Sequence, residues 1–187
     1  MRKRPAQILF IPLLIGLSSL GMIMGQETTG LFEQPFIITS AGQSADVQIA
    51  AVLAKRAGLN YELIKLATAK DFENTKTLAI VLGASLKGLG AAGLDMEKER
   101  ARVAGLVAEA QKTNIPLLCL HLGGQDRRGQ QTDDLISEIL PLAKMAIVVK
   151  SGNHDGIFTK ICQSKNIPLV EVEKTADTVT VLQKAFK

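Results

Sequence analysis

Aromatic residues are scarce, with no Trp, one Tyr and six Phe. A nucleic-acid binder uses aromatic faces for stacking and a basic stripe for phosphates, and neither is present, so nucleic acid is excluded as a partner. Cysteine is rare as well. Two residues, Cys119 in an apolar run and Cys162 in an expected helix, make no disulfide framework and read as small buried hydrophobes. The two histidines, His121 and His154, lie in no H-x-x-x-H or C-x-x-C pattern, so no local metal-binding spacing exists, and neither a metal nor a cofactor is expected. Asn-Gly hairpin turns between strands are also missing, which argues against a sheet built from hairpins. What remains is a globular composition, 47% hydrophobic and 21% charged, with no apolar run after the first segment long enough to cross a bilayer.

That first segment sets Arg2, Lys3 and Arg4 ahead of an apolar run from Ile8 to Met24, the pattern of a secretory signal peptide. Residues 1–25 are read as the leader, 26–34 as a linker and 35–187 as one α/β domain of three layers. Ser19 and Gly21 suit cleavage, and an uncleaved membrane anchor is the alternative. Either way the domain is expected outside the cytoplasm, secreted or periplasmic. Without the leader's three basic residues the 22 Lys+Arg fall to 19 against 18 Asp+Glu, so the working domain is nearly neutral.

From Pro35 onward, short β-branched runs alternate with stretches of helical periodicity. Strands are expected at 36–39, 61–66, 78–82, 117–122, 146–150 and 168–172. Helices are expected at 46–57, after Asp95, at 132–144, at 157–165 and at 175–186, where Thr175 serves as cap. Strands three to five are apolar on both faces, as in a parallel sheet covered by helices on each side. The fold class is therefore α/β, a doubly wound parallel sheet of five to six strands, in flavodoxin-like order 2-1-3-4-5 with strand 6 at the edge.

In such sheets ligands bind beyond the carboxyl ends of the strands. Strand one delivers Ser40 to Asp46 there, strand three Gly83 to Gly88, strand four His121 to Gly129 and strand five Ser151 to Gly156. Taken in order, these segments resemble an uncharacterised family of secreted bacterial proteins, whose domain of unknown function spans about Pro35 to Lys187 in a flavodoxin-like or Rossmann-like α/β pattern. The resemblance implies a secreted α/β protein and assigns no activity.

Each segment has two readings. Gly42-Gln43-Ser44-Ala45-Asp46 sits where a hydrolase places its nucleophile elbow, but Asp46 replaces the second Gly of G-x-S-x-G. The favoured reading makes Ser44 or Asp46 a helix cap and leaves Ser40, Gln43 and nearby amides to hold a polar ligand. Gly88 to Gly93 matches G-x-G-x-x-G outside the first βα turn and reads as a mobile glycine-rich flap, with Ser85 and Lys87 beside it. Arg127 and Arg128 are either a solvated pair or guanidinium forks for an anion, and Asp126 is a potential partner for one of them. His121, His154 and Asp155 either converge on a metal or, as favoured, serve as a polar cap and a cleft or core histidine.

The expected function is a non-catalytic binding protein whose strand-end cleft holds a small polar, anionic molecule for delivery to a transporter or envelope protein. Its expected ligand-binding residues are Ser40, Gln43, Ser44, Ser85, Lys87, His121, Arg127, Arg128, Ser151, Asn153, His154 and Asp155, with no catalytic residue. The alternatives are an extracytoplasmic hydrolase, through Ser44 or a metal, and a protein-interaction module of the cell envelope.

Overall fold

Six short runs form the strands: β1 (Phe36–Ala41), β2 (Tyr61–Leu63), β3 (Thr77–Leu82), β4 (Leu117–His121), β5 (Met145–Val149) and β6 (Leu169–Val172). They belong to a computed structural model that describes residues 28–187. The leader expected over 1–25 lies outside the described residues. All six strands are parallel in one sheet of order β2-β1-β3-β4-β5-β6, the flavodoxin-like arrangement expected. Every residue of β1, β3, β4 and β5 is buried, which explains why these strands carry apolar side chains on both faces.

One face carries Ile37, Leu78, Ile80, Cys119 and Val148 against α3 (Met96–Lys112), α4 (Gln130–Ile139) and α5 (Ile157–Lys165). The other packs Ile38, Ala79, Val81, Leu120 and Ile147 against α1 (Asp46–Arg56) and α6 (Thr178–Ala185). Within the stretch expected as a linker, Phe32 is fully buried and bridges Phe186, so the start of the described chain closes against its end. Both cysteines are free and buried. No helix among the described residues is long and apolar enough to cross a membrane.

Helix ends follow local chemistry with some departures. Asp95 caps α3 as expected, its carboxylate accepting from the Lys98 amide at 2.8 Å. Thr175 does not cap α6. It opens a 3₁₀ turn (Thr175–Asp177) and its hydroxyl donates to the Leu122 carbonyl at 3.3 Å, so the regular helix starts three residues later. The glycine-rich segment is a short helix, α2 (Leu86–Ala91), and not the expected flap. Its N-cap Ser85 accepts from the Gly88 amide at 3.1 Å.

Packing explains the first of those glycines. A Cβ on Gly88 would stand 1.9 Å from the carbonyl oxygen of Gln43, whereas one on Gly90 would meet nothing within 4 Å. The obstacle at Gly88 is backbone, which has no rotamer to yield. Gly88→Ala is therefore expected to destabilise by about 1–3 kcal/mol through overpacking. Gly90→Ala in the same helix is expected to stabilise by about 0.5–1 kcal/mol through helix propensity. Urea denaturation of the two variants checks the opposite signs.

Candidate binding cleft at the strand ends

The helix after β1 packs on one face of the sheet and the helices after β3 lead to the other, so the carboxyl ends of these neighbouring strands diverge. That is the switch point where open α/β sheets bind ligands. Gly42 and Gln43 turn the chain there with φ of +98° and +56°. Gly42 fits because a Cβ would stand 2.6 Å from the Gly83 carbonyl oxygen. Gln43 holds a left-handed backbone that non-glycine residues seldom adopt.

A buried ion pair maintains this turn. Glu99 of α3 is fully buried. It accepts from the Gly42 amide and Gln43 Nε2, both at 2.9 Å, and from Arg102 Nη2 at 2.8 Å and Nε at 2.9 Å. Arg102 also donates to the carbonyls of Ser40 at 2.5 Å and Ala67 at 2.8 Å. Burial opposes the charge on Glu99, yet hydrogen bonds from Arg102, the Gly42 amide and Gln43, with the Arg102 charge, hold its carboxyl below the ordinary range. Neither residue stood among the expected site residues. The inner face of α3 is marked in the sequence by the spacing of Val103, Leu106, Val107 and Ala110, and nothing in that spacing distinguishes a buried Glu from an exposed one.

Beside the turn lies a cleft of about 590 Å³, lined by the polar residues Gln43, Ser44, Lys65, Ser85 and Lys87 and by the apolar residues Leu66, Ala91 and Ala92. Ser44 is 2% exposed and its hydroxyl has no hydrogen-bond partner among the described residues. It does not cap α1, and neither does Asp46: the N-cap is Ala45, with no side-chain hydrogen bond to the first turn. Lys65 and Lys87 have no carboxylate partner among the described residues. Lys65 and Leu66 were absent from the sequence inventory, although the order 2-1-3 already sets the loop after β2 beside the loop after β1.

The expected site residues thus divide. Gln43, Ser44, Ser85 and Lys87 meet at the cleft. Ser40 is fully buried within β1, with its hydroxyl unpartnered among the described residues. Arg127 stands on the same side of Gly83 as the Ser44 hydroxyl, where a Cβ would lie 2.9 Å from Arg127 Cγ and 3.0 Å from Ser44 Oγ. Its Nε donates to Asp46 Oδ2 at 3.1 Å, and its two terminal nitrogens make no hydrogen bond among the described residues. Asp126 pairs with neither arginine, whose acidic partners are Asp46, Asp133 and Asp155.

The remaining candidates form a separate knot at the ends of β4 and β5. The Arg128 side chain is 5% exposed and donates to Asp133, Asp155 and the Gly152 carbonyl. Asn153 Oδ1 and Asp155 Oδ1 accept from the amides of Phe158 and Ile157 at the start of α5. His121 is fully buried, its ring nitrogens 3.0 Å and 3.1 Å from the carbonyls of Leu82 and Gly124. Burial lowers its pKa, assisted by the Arg128 charge and opposed by the two carbonyls and Asp46. His154 is exposed and contacts the Ser151 carbonyl at 3.2 Å. The Ser151 to Gly156 loop shares the cleft's edge, as expected, but not its lining. Two strands, β3 and β4, separate it from β1.

The hydrolase alternatives need geometry that is not formed. Neither imidazole bonds to Ser44 Oγ, and among the described residues no three His, Cys, Asp or Glu side chains are placed to hold a metal ion.

Solved structures similar to this chain include a protein of the lipolytic G-D-S-L family from Desulfitobacterium hafniense DCB-2, at 14% identity and TM-score 0.32, covering 73% of this chain and 77% of that one. A GDSL-like lipase from Bacteroides thetaiotaomicron VPI-5482 matches at 13% identity and TM-score 0.32, covering 73% of this chain and 66% of the lipase. AlinE4, an esterase of the SGNH-hydrolase family, matches at 15% identity and TM-score 0.29, covering 78% and 79% of the two chains. No curated protein matches the sequence. The family described as Domain of unknown function (DUF6305) matches residues 33–186, and this chain belongs to that family.

Proposed function

We propose that this protein is a non-catalytic binding protein for a small anion, acting outside the cytoplasm, with its site in the cleft between the loops after β1 and β3. The observation that carries the reading is a cleft that presents two lysines, Lys65 and Lys87, without a carboxylate partner among the described residues. Ser44 also lines the cleft, and its buried hydroxyl, unsatisfied among the described residues, would donate to an oxyanion once the side chain turned toward it. Lys65 and Lys87 supply attraction at the rim, and Arg127 adds terminal donors beside Ser44, over Gly83. The carboxylates close by are Asp46 and Glu99, and Arg127 and Arg102 offset their charges. The basic and apolar leader supports export.

The test is thermal unfolding with a panel of small anions, since a ligand that binds only the native state raises the midpoint by mass action. Ser44→Ala is expected to leave stability unchanged or slightly raised, because it deletes an unpartnered buried hydroxyl. It is expected to weaken anion binding by roughly tenfold, the worth of a hydrogen bond to a charged acceptor. Lys87→Gln weakens binding in the same direction. A panel in which no anion shifts the midpoint overturns the reading.

A further inference from the structure

Resting on that reading, we infer that the ligand is a doubly charged oxyanion of the phosphate or sulfate kind, held by the terminal nitrogens of Arg127 where that side chain lies against Ser44. The ends of β3 and β4 are shaped around this arginine. Gly83 and Gly123 follow those strands, and neither has the left-handed backbone that calls for glycine. Their missing side chains make room instead. A Cβ on Gly83 would stand 2.9 Å from Arg127 Cγ and 3.0 Å from Ser44 Oγ, and one on Gly123 would stand 2.6 Å from Arg127 Cβ and 2.5 Å from Asp46 Oδ2. Arg127, Asp46 and Ser44 therefore share one spot, and Ser44 is 2% exposed there with a hydroxyl unpartnered among the described residues.

The guanidinium is anchored at one point only. Asp46, whose side chain is 6% exposed, accepts from Arg127 Nε at 3.1 Å, which fixes the group while Nη1 and Nη2 stay unbonded among the described residues. Two parallel N–H donors are what a pair of oxyanion oxygens accepts. The charge count then sets the class. Arg127 balances Asp46 and Arg102 balances Glu99, so those pairs leave no excess. Lys65 and Lys87 remain, on a cleft that meets Arg127 at Ser44 and has no Asp or Glu among its described lining residues. Helix α1 begins here too, with Ala45 as an N-cap that makes no side-chain hydrogen bond, and a helix start carries partial positive charge. Two uncompensated positive charges suit a dianion better than a carboxylate.

Isothermal titration of the full 187-residue chain with inorganic phosphate, sulfate, acetate and chloride at fixed ionic strength tests the inference. Phosphate and sulfate are expected to bind roughly tenfold more tightly than acetate, through the second charge. Chloride, which offers no pair of oxygens, is expected to bind most weakly. Arg127→Lys keeps the charge and loses the fork, so its phosphate affinity is expected to fall roughly tenfold. Gly83→Ala keeps every donor and pushes on Arg127 and Ser44 together, so it too is expected to weaken phosphate. Thermal unfolding of each variant separates a lost site from a lost fold. Unchanged phosphate affinity in either variant overturns the seat at Arg127. Acetate binding as tightly as phosphate overturns the dianion class and leaves the anion reading standing. If none of the four anions binds, the anion reading beneath it fails too.

Discussion

Arg128→Lys is expected to lower unfolding stability by about 2 kcal/mol, while Arg127→Lys beside it lowers stability by less than about 1 kcal/mol. The difference lies in what each guanidinium holds. Arg128 spans three partners, one in α4 and two in the loop after β5: its Nε is 2.6 Å from Asp133, its Nη2 is 2.8 Å from Asp155, and its Nη1 donates to the Gly152 carbonyl. A single ammonium on a flexible stem cannot meet two carboxylates and a carbonyl at once. Losing part of a fully buried ion pair costs about 3–5 kcal/mol. Here Asp133 and Asp155 are 32% and 45% exposed, and water recovers some of the loss. Arg127 makes a single bond, to Asp46, which a lysine can replace. Guanidinium denaturation of both variants measures the split, and equal losses would show that the two arginines share one role. Acid sensitivity gives a second reading. The hydrogen bond from Arg128 holds the Asp155 carboxyl well below the usual range. That stability is present above the unfolded-state pKa and is lost as pH falls through the folded value. Arg128→Lys should therefore flatten the fall of stability in acid.

These neighbours show where a sequence stops informing. The pattern Asp-Arg-Arg between glycines is identical for a free guanidinium and a committed one, because the partners at Asp46, Asp133 and Asp155 sit 81, 5 and 27 positions away. Strands and their order were legible for the opposite reason. Residues in β3 to β5 are buried on both sides by helices, and that condition writes itself into consecutive side chains as unbroken apolar runs. The edge that binds was legible too, since parallel topology fixes which loops share it. Which loops share one cleft was not. Ser44 and Ser85 meet because β1 and β3 are adjacent, whereas Ser151 follows β5, two strands farther along the sheet. Gly88 belongs to the same class of hidden facts: G-x-G-x-x-G suggested freedom, and the structure uses its first glycine for contact with Gln43.

Glu99→Gln is expected to cost about 3–5 kcal/mol and to abolish anion binding at the cleft, although Glu99 does not line it. Four donors converge on this carboxylate, the Gly42 amide, Gln43 Nε2, and Nε and Nη2 of Arg102. An amide has one acceptor oxygen, so its NH₂ would face a donor. The Arg102 charge, whose side chain is 13% exposed, would lose its counterion, the circumstance in which breaking a buried pair is most destabilising. Binding is lost through the turn. Gly42 and Gln43 hold φ of +98° and +56° against local preference, and without the carboxylate the loop that carries Ser44 is free to relax. The pH dependence separates this from a general loss of packing. Net attraction from Arg102 and the bonded amides lowers the Glu99 pKa despite burial. Its contribution is complete above the ordinary pKa of 4.5 and is lost as pH falls through the lower folded value. The native protein should thus lose stability below pH 4.5 more steeply than Glu99→Gln, in urea denaturation repeated across that range. Parallel slopes would mean that the carboxylate is not ionised in the fold, and the turn would then owe its geometry to Gly42 and the surrounding backbone alone.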